Sequence, residues 1–188
     1  MNTGLITLII LGAIALTVVM WAIGTYNRLV ALRNQIENLW SQIDVQLKRR
    51  FDLIPNLVET VKGYATHERE VFEKIADARA RMMSATGPAE QAQADNILTG
   101  ALKSLFAISE AYPDLKANEN FIKLQGELAN TEDQIARSRE LYNDSVMTYN
   151  TTIQSFPPSI IAGMGNFRQK PYFPIDEASR EPVKVSFT

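Results

Sequence analysis

Residues 121–153 read FIKLQGELANTEDQIARSRELYNDSVMTYNTTI, and every seventh position from the first carries a large apolar or aromatic side chain: Phe121, Leu128, Ile135, Tyr142 and Tyr149. Leu124, Val146 and Ile153 fill the neighbouring seam. An α-helix turns once in about 3.6 residues, so this period keeps both seams on one stripe and predicts packing along a left-handed, coiled-coil-like interface. The helix is expected to begin near Asn118, after the break at Tyr112-Pro113-Asp114, and to stop at Phe156-Pro157-Pro158, where proline supplies no backbone donor.

Upstream, residues 25–84 step their apolar positions by threes and fours: Ile36, Trp40, Ile43, Leu47, Phe51, Ile54, Val58, Val61 and Ala65. That is the stripe of a long helix lying against others. Pro55 is predicted to kink or restart it. Thr86-Gly87-Pro88 separates a further helix over about 89–110, with Ile97, Ala101, Leu102, Leu105 and Ile108 as its expected buried stripe. The reading is all-α, with three to four long antiparallel helices forming a bundle over 25–156.

The N-terminus is of another kind. No Asp, Glu, Lys or Arg occurs from Asn2 to Asn27, and Leu5 to Ile23 reads LITLIILGAIALTVVMWAI. At about 1.5 Å per residue this run matches a hydrocarbon core of about 30 Å, with Trp21 and Tyr26 where an interfacial aromatic belt would lie. Ala22-Ile23-Gly24 offers a small-x-small cleavage site, but a basic leader is missing and the apolar run is too long for a signal peptide. Residues 1–24 are therefore read as a retained transmembrane anchor that meets the bilayer through 5–23. Arg28 and Arg33 follow the span and Met1 to Thr3 carry no charged side chain, which places the N-terminus outside and the bundle in the cytoplasm.

Composition excludes several classes of function. The chain has 188 residues, 46% hydrophobic, with 19 Lys and Arg against 21 Asp and Glu and a net charge of −2. Its basic residues are scattered, so nucleic acid is not an expected partner. It has no cysteine, which removes disulfides, thiolate catalysis and Cys-ligated metal. His67 is the single histidine; His67-Glu68-Arg69-Glu70 is followed by Val71 where a zinc helix needs its second imidazole, and Tyr64 stands where a di-iron pair needs Glu. His67 is read as a surface helix residue. The sequence contains no phosphate-cradling loop and no nucleophile elbow. No catalytic, cofactor-binding or metal residue is assigned, and the chain is read as not an enzyme.

What remains is a polar cluster on the first cytoplasmic helix, Asp44, Lys48, Arg49, Arg50, Asp52, Asn56 and Glu59. Its residues are spaced to meet on the helix surface. The cluster either pairs within the bundle with Glu127, Glu132, Asp133 or Arg139 or presents Lys48, Arg49 and Arg50 to an acidic partner or anionic headgroups, the last disfavoured by the roughly 25 residues that separate them from the span. Residues 157–188 hold five of the eight prolines together with Ile160, Ile161, Met164, Phe167, Tyr172, Phe173, Val183, Val185 and Phe187. Such a tail is too apolar for a solvated linker; it either folds back over the bundle or forms a surface for another subunit, a partner or the bilayer. The candidate interaction residues are Lys48, Arg49, Arg50, Asp52 and Asn56, with Phe156, Ile160, Ile161 and Phe167 as the apolar set.

Residues 40–64, WSQIDVQLKRRFDLIPNLVETVKGY, resemble the signature of the bacterial LemA family, and Tyr112-Pro113-Asp114-Leu115-Lys116-Ala117-Asn118, Leu124-Gln125-Gly126-Glu127-Leu128, Thr131-Glu132, Tyr142-Asn143 and Tyr149-Asn150 are similar to its second signature. The resemblance implies a single-span bacterial membrane protein with a soluble antiparallel helical bundle and no established catalytic activity, and the expected location is the inner membrane. Members of the family are often encoded near membrane metalloproteases of the heat-shock type or other small membrane proteins, so the resemblance points towards envelope quality control. The function expected is a non-enzymatic, membrane-anchored scaffold or adaptor that forms a homo-oligomer or recruits a partner such as a membrane protease or another envelope protein. The alternative is an accessory subunit of such a protease in envelope quality control.

Overall fold

The computed structural model describes residues 3–174, among which there is no strand. Six helices follow in order: α1 Thr3–Lys62, α2 Arg69–Ser84, α3 Gly87–Ser109, α4 Pro113–Lys116, α5 Glu119–Gln154 and α6 Pro158–Met164. Val183, Val185 and Phe187 of the apolar tail lie outside the described residues. The described residues divide into two compact units: one holds 3–39 and 142–170, the other 40–141 and 171–174.

The first unit contains the apolar run. Among the described residues α1 is the one helix long and apolar enough to cross a membrane; its most apolar 18 residues average a hydropathy of 2.6 and none is buried. The hydroxyls of Thr7 and Thr17 donate to the carbonyls of Thr3 and Ala13, at 2.9 and 2.8 Å, so these polar atoms are satisfied inside the helix, as a lipid environment demands. Beyond the run, Leu29 and Ile36 are buried, as are Tyr142, Val146 and Tyr149 of α5. Gln35 Nε2 donates to Ser145 Oγ at 3.3 Å. Burial pushes the Tyr142 and Tyr149 hydroxyls above their ordinary pKa; at Tyr149 nearby Arg33 opposes this and Glu37 adds to it. The chain after α6 returns: Asn150 donates to the Lys170 carbonyl and accepts its N–H, both at 2.9 Å, and the Lys170 ammonium reaches Glu37 at 3.3 Å.

The second unit is an up-down-up-down bundle of four helices. Arg79 of α2 lies 4.4 Å over Phe51 of α1, and Lys62 near the end of α1 lies 5.8 Å from the Phe72 ring, so α1 and α2 run antiparallel. Arg50 meets Asp95 early in α3, while Tyr112 beyond its end bonds Glu68 beyond the end of α1; α3 therefore runs with α1. Phe106 and Phe121 stack edge to face at 6.3 Å, and with Arg139 opposite Asp95 this sets α5 antiparallel to α3. The core joins Ile54, Leu57 and Val61 to Ile75, Ala78, Leu98, Leu105, Leu115, Phe121 and Leu128.

Local chemistry fixes the corners. Glu90 accepts the Thr86 N–H at 2.8 Å and the Thr86 hydroxyl at 3.0 Å, closing a capping loop around Gly87, whose φ of 78° favours glycine. Asn118 Oδ1 accepts the Phe121 N–H at 3.0 Å and caps α5.

Several expectations are corrected. Pro55 does not split the first helix: α1 continues through it to Lys62. The lost donor removes one backbone bond, while Ile54 and Leu57 on either side are fully buried and hold the helix in place. The break falls at 63–68 instead, and His67 sits exposed in that turn rather than on a helix. In α3, Ala101, Leu102 and Leu105 are buried as expected, but Leu98 takes the place expected of Ile97, which is 40% exposed, and Ile108 is half-buried. In α1, Trp40, Phe51 and Val58 are half-buried flanks of a core line that runs Ile43, Leu47, Arg50, Ile54, Leu57, Val61.

Candidate functional site

That core line contains a charge. Leu29, Ile36, Ile43, Arg50 and Leu57 follow one another at seven-residue intervals and all are buried, Arg50 to 2% exposure. A guanidinium cannot be desolvated alone without a large free-energy loss. Two helices supply its partners. Arg50 Nη1 donates to Asp95 Oδ1 at 2.7 Å, and Nη2 donates to Thr99 Oγ1 at 2.9 Å and lies 2.8 Å from Glu132 Oε2. Asp95, itself 1% exposed, gives its second oxygen to Arg139 Nη2. The Thr99 hydroxyl donates in turn to the Asp95 backbone carbonyl at 2.9 Å.

Two guanidiniums and two carboxylates thus balance in one network that ties α1 to α3 and α5. Arg139 is held from its other face by Phe173, whose ring centroid lies 4.4 Å from the guanidinium carbon, and Phe173 in turn packs on Trp40 at 6.1 Å. The Nε atoms of Arg50 and Arg139 are buried with no hydrogen-bond partner among the described residues. Beside the network lies a cleft of about 300 Å³ lined by Arg50, Thr99, Leu102, Phe106, Leu128 and Glu132. Charge-assisted bonds of this kind are the strong ones, and here their donors and acceptors face one another across helices. The arrangement is a clamp. No group of three or more metal-ligating side chains occurs among the described residues.

The remaining sequence candidates lie elsewhere. Lys48, Arg49, Asp52 and Asn56 are exposed on α1, with Lys48 Nζ 3.6 Å from Asp52, so the basic triplet is divided: Arg50 points into the bundle and its two neighbours face water. Phe156 and Ile160 are 82% and 53% exposed, Ile161 is half-buried, and Phe167 packs edge to face on Tyr26 at 5.5 Å. The sequence reading named Glu132 and Arg139 as possible partners and missed Asp95 and Thr99. The missed signal was register, since Asp95 precedes buried Leu102 and Ser109 at seven-residue intervals.

The sequence profile of the LemA family matches residues 39–187. The chain is 28% identical over 168 residues to Protein LemA of Metamycoplasma hominis, covering 87% of this chain and 75% of that protein. It is 27% identical over 184 residues to the Magnetosome protein MamQ of Magnetospirillum gryphiswaldense, covering 84% of this chain and 68% of that one. Magnetosome protein MamQ 2 of Paramagnetospirillum magneticum matches with the same identity and coverage.

Proposed function

We propose, from the premise that this chain belongs to the LemA family, that it is a non-enzymatic scaffold or adaptor, anchored in the bacterial inner membrane with its bundle in the cytoplasm. The chain is a membrane-associated helical protein, and Arg28 and Arg33 directly after the apolar run support the orientation. The observation that carries the reading is the clamp. Its buried charges are spent on one another across three helices, which favours a rigid platform over a reacting centre.

On that platform Lys48, Arg49, Asp52 and Asn56 form an exposed polar face, suited to a second copy or to another membrane protein. The relatives' names supply a family and a magnetosome, and neither is the name of a reaction. Light scattering of the full-length protein in detergent at micromolar concentration tests self-association. A mass of two or more protomers is expected, and a monomer under these conditions would remove homo-oligomer formation from the proposal.

A further inference from the structure

The exposed apolar residues around α6 are not scattered. Ile160 and Met164 are four apart on the helix and so share a face, and they are 53% and 83% exposed; Phe156 in the preceding turn is 82% exposed. Residues 155–167 carry no Asp, Glu, Lys or Arg, and the first charge is Arg168. Three large apolar side chains in water on so short a segment call for a cover.

Their place in the first unit says what covers them. The Phe167 ring packs against Tyr26 at 5.5 Å, and the Arg33 guanidinium lies 5.5 Å from the same ring. At Gly165 a Cβ would come within 3.2 Å of the Tyr26 ring, so the chain leaving α6 lies directly on α1. Tyr26 is three residues past Ile23, the last residue of the apolar run, a rise of about 4.5 Å. The uncharged segment is thus held at the level where the apolar run of α1 ends, with the basic residues Arg28 and Arg168 close in sequence to Tyr26 and Phe167.

We infer that residues 156–167 form a second membrane contact, lying in the interface of the bilayer that α1 crosses, with Phe156, Ile160 and Met164 at the acyl boundary. The lipid surface needs no further partner and meets an uncharged apolar face with basic residues behind it. The protein would then hold its bilayer at two points, and α5, which leads into the segment, would be fixed relative to the membrane surface.

The chain has no cysteine, so single labels are placed without background. Full-length Ile160→Cys, Met164→Cys, Met147→Cys and Leu11→Cys variants carry an environment-sensitive fluorophore in phosphatidylcholine/phosphatidylglycerol vesicles. Met147 is 54% exposed on α5 in the same unit, near the level of Gln35 and well beyond the span; Leu11 reports the span itself. Labels at 160 and 164 are expected to be quenched several-fold more by brominated lipid than the label at 147, and several-fold less by aqueous iodide. Iodide quenching equal to that at 147 would overturn the inference. Shielding from both quenchers would also overturn it, by assigning the face to a protein. A label at 11 unquenched by brominated lipid would refute the anchor itself, and with it this contact.

Discussion

Replacing Asp95 by alanine should unfold the bundle's clamp from its centre. In the native protein one Asp95 oxygen accepts from Arg50 at 2.7 Å and the other from Arg139, with Asp95 and Arg50 at 1% and 2% exposure. The substitution leaves Arg50 buried against Glu132 and Thr99 alone, and leaves Arg139 with its stack on Phe173. Removing one partner of a buried ion pair destabilises by about 3–5 kcal/mol, because a desolvated charge is left without its counter-charge. For a chain of this size each kcal/mol lowers the midpoint by about 2–4 °C, so a fall of about 6–20 °C is expected. The assay is thermal loss of helical circular dichroism for the full chain in detergent, with Asp52→Ala as the reference. Asp52 is 58% exposed and pairs with Lys48 at 3.6 Å; such surface pairs contribute about 0–1 kcal/mol. Converting Arg50 to Met together with Asp95 to Leu removes both buried charges and should restore part of the lost midpoint. An Asp95→Ala midpoint equal to that of Asp52→Ala would refute the reasoning.

Three further outcomes follow from the geometry. Leu98→Ala should destabilise by about 2–5 kcal/mol whereas Ile97→Ala stays within about 0.5 kcal/mol, since Leu98 is fully buried and Ile97 is 40% exposed; denaturant titration checks both. Gly165→Ala should destabilise by about 1–3 kcal/mol because its Cβ would meet the Phe167 ring at 2.5 Å, while Gly163→Ala, with no atom within 4 Å of its Cβ, is tolerated in the same titration. The Thr86 N–H and hydroxyl hold the Glu90 carboxyl below its ordinary value of 4.5. A carboxyl lowered in the folded state adds stability above that value and loses it as pH falls through the folded pKa. The midpoint difference between wild type and Glu90→Gln should therefore be present at neutral pH and vanish in acid.

The long helices were legible because their signal is repetition. Phe121, Leu128, Ile135, Tyr142 and Tyr149 are all buried, as their seven-residue spacing predicts. Where one residue was asked to decide, the reading failed for a physical reason. Pro55 removes a single donor, which a helix anchored by Ile54 and Leu57 tolerates, so the turn moved to 63–68. Ile97 and Leu98 are adjacent and equally apolar, and only packing against the neighbouring helices selects between them. Arg50 stands in sequence beside Lys48 and Arg49, and the sequence offers it ion pairing within the bundle against Glu132 as well as a place on the polar surface; of the two, it makes the bundle pairing. Its neighbours in register, Ile43 and Leu57, are core residues, and its partners Asp95 and Glu132 stand on other helices. Local spacing cannot display a pairing between helices, whereas a charge in the apolar register can announce that such a pairing must exist.

We propose that the exposed face of α1 meets a protein partner, while Arg50, buried on the same helix, ties the bundle together. Photocrosslinking in intact cells tests this most directly, with a photoreactive residue placed at Arg49 and, separately, at Asp52, both exposed, followed by mass spectrometry of the captured species. The account predicts a covalent adduct with a second copy of the chain or with one discrete membrane protein, from both positions. Recovery of the uncrosslinked monomer alone from both would contradict it.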